Sequence, residues 1–342
     1  MNKKPFTEFF SFVKNLFKIK MFTLILFLAV LVIIFTIITN GQFITPLNIR
    51  NVLQTISVIG LLAIGAGMLM ITGFVDLSVG GIGTLCAMLC AVLLTKGVPW
   101  WIGVIAALVL GAVSGLINVL LINKLNFQPF IATLAMAQIG EGLAYLLSNA
   151  RPVPVTNTIL RAVGSGRLFK YIPYTVGIVI AAFIIYALLM NKTRFGRNVY
   201  LTGSNPEAAR LSGLHPQKIL TILFINSGVL AAISGMILMS RIGTSTTTGI
   251  TVSRFSGMTA AILGGISFGG GAGGMAGAFV GLLILGSFNN AMTLVGLDAY
   301  LQQSAAGLLL ILALIIDFVI VKRNNQLALK SAMAGAGGGD NK

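Results

Sequence analysis

Three acidic residues lie inside or beside long apolar runs of this sequence, where a charge needs a specific role. Asp76 stands in GFVDLSVGGIG, Glu141 lies in the middle of FIATLAMAQIGEGLAYLLS, and Asp317 lies near the end of the last apolar run. A charge at the centre of a bilayer costs at least about 2.5–3.5 kcal/mol, so such residues usually pair, lie at an interface or serve a function. Asp76 could cap the helix that begins near Leu77, with help from Ser78, or it could line a pathway.

Other polar residues extend this set of candidates. Gln138 precedes Glu141 by one helical turn, which favours either a buried polar contact or a helix surface that faces a cavity. Asp317 lies close to Lys322 and Arg323, which favours an interfacial charge pair. The candidates for a hydrophilic translocation pathway are Asp76, Ser78, Asn118, Gln138, Glu141, Asn226, Asn289 and Asn290. Hydrogen bonding between helices would explain the uncharged candidates within spans equally well, namely Asn118, Gln138, Asn226, Asn289 and Asn290.

Residue types that perform covalent chemistry form no recognisable catalytic or metal site. The one histidine, His215, lies in a loop, and the sequence has no spacing typical of a metal site or a nucleophile triad. Residues 269–274 fit G-x-G-x-x-G, but apolar helical runs flank them where a dinucleotide site needs a strand. A G-x-x-x-x-G-K-[ST] motif is absent. We therefore expect no catalytic residue, no metal and no cofactor on this chain.

The composition indicates a membrane protein. Of 342 residues, 56% are hydrophobic and 9% are charged, whereas soluble domains carry about 25% charged residues. The net charge of +16 does not indicate a nucleic-acid partner, because the basic residues cluster at the ends of apolar runs, as the positive-inside rule requires. Cys86 and Cys90 lie within one apolar run and are expected to be free and buried.

The hydrophobic pattern predicts an all-α polytopic integral membrane protein with about ten transmembrane helices. The predicted spans are 21–39, 52–72, 79–94, 101–122, 130–148, 173–190, 219–239, 256–268, 274–293 and 302–321. Residues 1–20 would form a basic cytoplasmic tail, 21–322 a single transmembrane domain with a cytoplasmic loop at 191–218, and 323–342 a largely disordered cytoplasmic tail.

Ten spans with a cytoplasmic N-terminus place most of the 23 Lys and Arg residues on the cytoplasmic side. The outer loop 149–172 carries four basic residues. Either the charge rule is loosely obeyed there, or this loop meets an acidic partner.

Two glycine-rich breaks interrupt the apolar pattern, at residues 73–83 and 264–274. Such breaks favour discontinuous helices around a central pathway, and they suggest an internal pseudo-repeat of spans 2–5 against spans 7–10. Gly111 and Gly115, and then Gly273, Gly277 and Gly281, recur every four residues. These stripes predict close helix packing, either within the chain or between two copies.

A short helix is predicted within the basic loop. Asn205 is an N-cap, Pro206 suits the first position, Glu207 complements the helix dipole, and Gly213 stops the helix. A helix of about two turns is marginal alone, so it needs a packing partner in this chain or in another one.

Four segments together resemble the ribose-type sugar permeases of ATP-binding-cassette (ABC) importers. They are GFVDLSVGGIGTLCAM, FIATLAMAQIGEGLAYLLS, TRFGRNVYLTGSNPEAARLSGL and AAILGGISFGGGAGGMAGAFVG, which occur in the expected order over nearly the whole chain. Branched-chain amino-acid permeases share the central loop, whereas the first two segments favour the sugar branch. Glu141 departs from the pattern, because a neutral or basic residue is expected there.

The resemblance implies the partners and the role of the short helix. It implies a separate ATPase subunit that binds ATP and Mg, an extracytoplasmic sugar-binding protein and a second permease copy in a bacterial inner membrane. The ATPase-contacting residues would be Asn205, Pro206, Glu207, Ala208, Ala209, Arg210 and Gly213. The expected function is monosaccharide import by alternating access. Amino acids or nucleosides remain alternative substrates, and an ion-coupled secondary transporter or channel is the alternative of a different class.

Overall fold

Thirteen α-helices make up most of the computed structural model, which describes residues 20–168 and 172–336. They are α1 (Lys20–Ile38), α2 (Pro46–Ile71), α3 (Val79–Thr95), α4 (Trp100–Leu125), α5 (Pro129–Ser148), α6 (Thr158–Ser165), α7 (Tyr174–Lys192), α8 (Arg194–Ser204), α9 (Pro206–Leu211), α10 (Pro216–Ile242), α11 (Arg254–Leu263), α12 (Met275–Leu294) and α13 (Ala299–Ala336). Two antiparallel pairs of two-residue strands join the connecting loops: β1 (Val153–Pro154) with β4 (Thr244–Ser245), and β2 (Arg167–Leu168) with β3 (Ile172–Pro173).

Every predicted span coincides with a helix, and the all-α polytopic membrane class is confirmed. Eight of the helices in the described part of the chain are long and apolar enough to cross a bilayer. The other two predicted spans are shorter: α3 has 17 residues and α11 has 10. At 1.5 Å per residue α11 rises about 15 Å, half of a hydrocarbon core that is about 30 Å thick.

The long helices α2 and α10 form the centre of the bundle. Their most apolar 18-residue windows are 83% and 67% buried, compared with 28% for α7. Glycines bring the backbones together: a Cβ added at Gly115 would overlap the carbonyl oxygen of Phe224, and one at Gly277 would overlap that of Gly264. The stripes that contain Gly115 and Gly277 therefore pack within the chain, which is the first of the two alternatives stated above.

Two irregular segments penetrate the bundle from opposite ends. The first inserted segment, residues 72–78, joins α2 to α3, and the second inserted segment, residues 243–253, joins α10 to α11. They meet at the first turns of α3, where a Cβ added at Gly80 would lie 3.1 Å from the Cα of Thr251 and 2.9 Å from the Cβ of Arg254. Each half of the chain thus has a long helix, an inserted segment and a short helix, which is the form expected of the pseudo-repeat.

The two halves of the chain do not match break for break as predicted. The counterpart of the first break is the second inserted segment, whereas the glycine-rich break at 264–274 joins α11 to α12.

The C-terminal end of the chain also differs from the prediction. Helix α13 continues to Ala336, so most of the segment 323–342 is helical where a largely disordered tail was expected, because residues 326–336 are mostly strong helix formers. Residues 1–19 of the predicted N-terminal tail and residues 337–342 lie outside the described residues.

Candidate functional site

Helix α9 has the bounds and the caps that the sequence predicts. The Asn205 Oδ1 atom accepts a hydrogen bond from the Ala208 backbone N–H at 3.0 Å. At the other end Gly213 has φ +80°, and the Leu214 N–H donates to the Ala209 carbonyl oxygen at 3.0 Å. This six-to-one bond and the left-handed glycine form a Schellman motif. The helix is therefore ended at both sides by local interactions.

The rest of the chain covers very little of α9. Ala209 is buried at 4% exposure, whereas Leu211 is 89% exposed. Beside the helix lies an open groove of about 600 Å³, lined by Asn205, Pro206, Glu207, Arg210, Leu214, His215, Pro216, Gln217 and Lys218. A short helix with an exposed leucine and an adjacent groove has the features of a surface that another protein completes.

The end of α8, immediately before α9, packs against both glycine-containing breaks. A Cβ added at Gly203 would overlap the carbonyl oxygen of Ile71, the last residue of α2. The same carbonyl accepts a hydrogen bond of 2.8 Å from the Gly271 N–H. The Tyr200 hydroxyl donates to the Gly273 carbonyl oxygen at 2.9 Å, and burial raises the pKa of this hydroxyl, so it remains a donor. We call Tyr200, Gly203, Ile71, Gly271 and Gly273 the junction.

The first inserted segment carries a buried carboxylate. Asp76 is 3% exposed; its Oδ1 atom accepts from the Ser78 N–H at 2.9 Å and the Ser78 hydroxyl at 2.6 Å. Its Oδ2 atom accepts from the Ser227 hydroxyl of α10 at 2.7 Å, and the Asn118 amide of α4 donates to Ser78 Oγ at 2.9 Å. The carboxylate binds the Ser78 N–H just before α3, but among the described residues no side chain caps the first turn of α3, so the structure does not show the capping role. Through Ser78, Asn118 and Ser227 it joins the start of α3 to α4 and α10.

A second acidic residue lies on the other side of α3. Glu141 of α5 forms an ion pair with Arg254, the first residue of α11. The side chains keep 19% and 14% exposure. Gln138, one turn before Glu141, is exposed. These three side chains lie on one surface and are at least partly exposed, whereas Asp76 is buried.

In the part of the chain that the structure describes, the remaining pathway candidates form no hydrogen bond with either cluster. Asn226 accepts a hydrogen bond from the Tyr186 hydroxyl within the bundle. Asn289 and Asn290 are half-buried near the end of α12, and within the described residues the Asn290 side-chain oxygen has no hydrogen-bond partner. The structure therefore groups Asp76 with Ser78 and Asn118, and Gln138 with Glu141, while Asn226, Asn289 and Asn290 join neither group.

Two sequence interpretations are corrected by these contacts. The predicted spans 219–239 and 256–268 leave Arg254 in the outer loop between them, but Arg254 is the first residue of α11 and pairs with Glu141 of α5. Asp317 was expected to pair with Lys322 and Arg323, but its Oδ2 atom accepts from the Phe268 N–H at 3.0 Å in the glycine-rich break. Neither contact has a sequence signal, since the partners are 113 and 49 residues apart.

Comparison with known proteins identifies related sequences over most of the chain. A family profile described as "Branched-chain amino acid transport system / permease component" matches residues 48–316. The ribose import permease protein RbsC of Bacillus subtilis is 36% identical over 292 residues, which cover 85% of this chain and 90% of that protein. The L-arabinose transport system permease protein AraH of Escherichia coli is 36% identical, covering 81% of this chain and 84% of that protein. The fructose import permease protein FrcC of Rhizobium meliloti is 32% identical, covering 85% and 83%.

Proposed function

Because this chain belongs to the branched-chain amino acid transport system / permease component family, and within it to the sugar permeases of ABC transporters, we propose that it is the transmembrane subunit of an ATP-driven importer of a monosaccharide. Its relatives are named for ribose, arabinose and fructose, which are neutral polyhydroxyl compounds. A pentose or a related sugar is therefore the proposed substrate.

The observation that carries this proposal is the exposed, doubly capped helix α9. Its caps are local hydrogen bonds, and its apolar residue Leu211 is 89% exposed. The chain has no Walker-type motif of its own. A separate ATPase subunit, which binds ATP and Mg, supplies the missing nucleotide site and covers α9 and its groove. The permease itself performs no covalent chemistry.

The junction gives the docked ATPase a route into the bundle. A movement of α9 pulls on Gly203, which abuts the carbonyl of Ile71. Ile71 ends α2 and leads directly into the first inserted segment. The bond from Gly271 to Ile71 and the bond from Tyr200 to Gly273 tie the glycine-rich break to the same point. Nucleotide-driven closure of the ATPases would thus move both breaks together and alternate the access to the pathway.

The proposed orientation places the N-terminus and α9 on the cytoplasmic side of a bacterial inner membrane. The segment that contains α6 then faces outward and receives the sugar-binding protein. Its exposed arginines are Arg151, Arg161 and Arg167, which suit an acidic partner surface. A second copy of the chain completes the pathway, and the lipid bilayer surrounds both copies.

Partner isolation tests the proposal directly. The full chain is purified from native membranes, the co-purifying proteins are identified, and the binding protein is screened against D-ribose, L-arabinose, D-fructose, leucine and adenosine. We expect an ATPase and a binding protein that prefers a sugar. Preference for leucine or adenosine would move the assignment to an amino-acid or nucleoside importer, and uptake driven by a proton or sodium gradient without an ATPase would contradict it.

A charge reversal tests the contact with the ATPase. Glu207→Lys opposes the dipole of α9 and places a positive charge beside its docking surface, so we expect at least about a tenfold loss of co-purified ATPase, since about 1.4 kcal/mol corresponds to tenfold. Asp298→Lys, at the exposed start of α13, is the control. An unchanged ATPase yield for Glu207→Lys would contradict the docking assignment.

A further inference from the structure

The Glu141–Arg254 ion pair lies near the middle of the bundle. Helix α5 runs from Pro129 to Ser148, so Glu141 lies about 18 Å along a rise of about 30 Å. Arg254 is the first residue of α11 and pairs with Glu141. Helix α11 therefore begins at the depth of Glu141 rather than at the end of the bundle. Because the hydrocarbon core is about 30 Å thick, the ion pair lies near its centre.

The surface around the ion pair is open. The two charged side chains keep part of their exposure, Gln138 is exposed one turn away, and a Cβ added at Gly142 would meet no atom within 4 Å. Polar and charged groups at this depth almost always face a bundle interior or a water-filled cavity rather than lipid. By contrast Ile139, the neighbour of Gln138, is an exposed apolar residue of 53% exposure that suits lipid.

The second inserted segment leads to this ion pair from the side opposite to α9. Its sequence from 244 to 253, TSTTTGITVS, has seven hydroxyl residues in ten positions and ends next to Arg254. Two contacts hold it against α3: the Ile250 N–H donates to the Thr84 hydroxyl at 3.1 Å, and the Thr84 and Thr251 hydroxyls share a hydrogen bond of 3.3 Å. A hydroxyl-rich strip therefore runs inward and stops at a carboxylate and a guanidinium.

We propose that Glu141, Arg254 and Gln138 form a transient binding site for the hydroxyl groups of a neutral sugar on its way through the permease. This site rests on the proposed function and gives it a location and a selectivity. Carboxylate oxygens accept hydrogen bonds, and guanidinium and amide N–H groups donate them, so the three side chains together match neighbouring hydroxyls that both donate and accept. Their charges cancel, and a neutral solute is not held too tightly to leave.

The pairing also disfavours charged solutes. An amino-acid zwitterion needs a free carboxylate for its ammonium group and a free cation for its carboxylate. Glu141 and Arg254 are already bound to each other, so a zwitterion gains its contacts only by breaking this charge-assisted ion pair. The site therefore favours a sugar over the amino acids that the family description names.

Thiol labelling tests whether the site is wet without any assumption about the substrate. Gln138→Cys and, as the matched control, Ile139→Cys are placed in the importer assembled with its ATPase in nanodiscs, with and without ATP. A charged methanethiosulfonate reagent is then applied. We expect Gln138→Cys to react at least about tenfold faster than Ile139→Cys in one of the two states, because thiolate reaction needs water access. The native Cys86 and Cys90 are buried at 0% exposure and give a low background. Equal, slow labelling of the two variants would overturn the proposal.

Sugar uptake tests the role of the ion pair. Glu141→Gln and Arg254→Gln are measured in proteoliposomes with the ATPase, the binding protein and whichever of D-ribose, L-arabinose or D-fructose the wild type transports. Each variant should lower the maximal uptake rate about tenfold, which corresponds to about 1.4 kcal/mol, at unchanged ATPase co-purification. The double variant Glu141→Arg, Arg254→Glu should recover part of the rate. Asp298→Asn is the control, since an amide still caps α13.

The outcomes separate the two proposals. Wild-type proteoliposomes that transport no tested sugar with ATP would overturn the proposed function. Wild-type sugar uptake that persists in both Glu141→Gln and Arg254→Gln would overturn this site and leave the function intact. A gain of leucine uptake over wild type in either variant would support the selectivity argument, because it would follow from the release of an unpaired charge.

Discussion

The two inserted segments are alike in position and opposite in chemistry. The first, at 72–78, ends in a carboxylate that is 3% exposed and accepts three hydrogen bonds from Ser78 and Ser227. The second, at 243–253, ends beside an ion pair whose side chains are 14% and 19% exposed. A fully satisfied buried carboxylate rigidifies its surroundings, whereas partly exposed charges can exchange partners with a solute. We infer that the first segment moves as one rigid unit and that the second segment lines the route.

The largest expected effect is on stability at Asp76. Asp76→Ala leaves the Ser78 N–H and the Ser78 and Ser227 hydroxyls without acceptors in a buried site, at about 1–3 kcal/mol for each buried group left unsatisfied. We expect a loss of about 3 kcal/mol or more in the free energy of unfolding, measured by denaturant titration in detergent, with a smaller loss for Asp76→Asn. The exposed Asp298, which accepts two backbone N–H bonds, is the control; Asp298→Ala should lose about 1 kcal/mol. Equal losses at the two positions would remove the distinction.

The next effect tests how the first segment is connected to α9. Gly203→Ala adds a methyl group where it would overlap the Ile71 carbonyl oxygen, and overpacking of this kind costs about 1–3 kcal/mol. We expect ATP-driven sugar uptake to fall about tenfold while ATPase co-purification stays at the wild-type yield. Gly177→Ala on α7, which would meet no atom within 4 Å, should leave uptake unchanged. A variant that loses ATPase binding and uptake together would place Gly203 in docking rather than in transmission.

The smallest expected effect is on stability at Glu141, beside the second inserted segment. Glu141→Gln removes one partner of a partly exposed ion pair, so we expect a change of less than about 1 kcal/mol in the free energy of unfolding. We expect Glu141→Gln to lower mainly the maximal rate of sugar uptake. A loss as large as that of Asp76→Ala would make the Glu141–Arg254 pair a structural element like the Asp76 cluster and would end the comparison.

The sequence predicts what local interactions decide. The bounds of α9 follow from Asn205 and Gly213, because the cap bonds span three to five residues. The link from Asp76 to Ser78 is equally local. The Ser227, Asn118 and Arg254 contacts are not, since their partners lie 151, 40 and 113 residues away. Their placement depends on how the helices pack, and hydropathy carries no information about that.

The same limit explains the misplaced Arg254 and the long helix α13. Counting apolar residues treats every helix as a full span, so α11, which has 10 residues and includes Arg254, is predicted as the longer span 256–268 with Arg254 in the loop before it. At the other end the glycines after Ala336 suggested a disordered tail, while the helix formers before them continue α13. Short and extended helices are therefore where a hydropathy reading fails for this fold.

The central claim is that ATP hydrolysis on a partner, acting through α9, drives sugar across this chain. The most direct measurement is uptake of radiolabelled sugar by proteoliposomes that contain this chain, its ATPase and the loaded binding protein, with Leu211→Asp as the docking variant. We predict uptake that requires internal ATP and that Leu211→Asp abolishes together with ATPase binding. Uptake that proceeds without ATP, or that Leu211→Asp leaves at the wild-type rate, would contradict the claim.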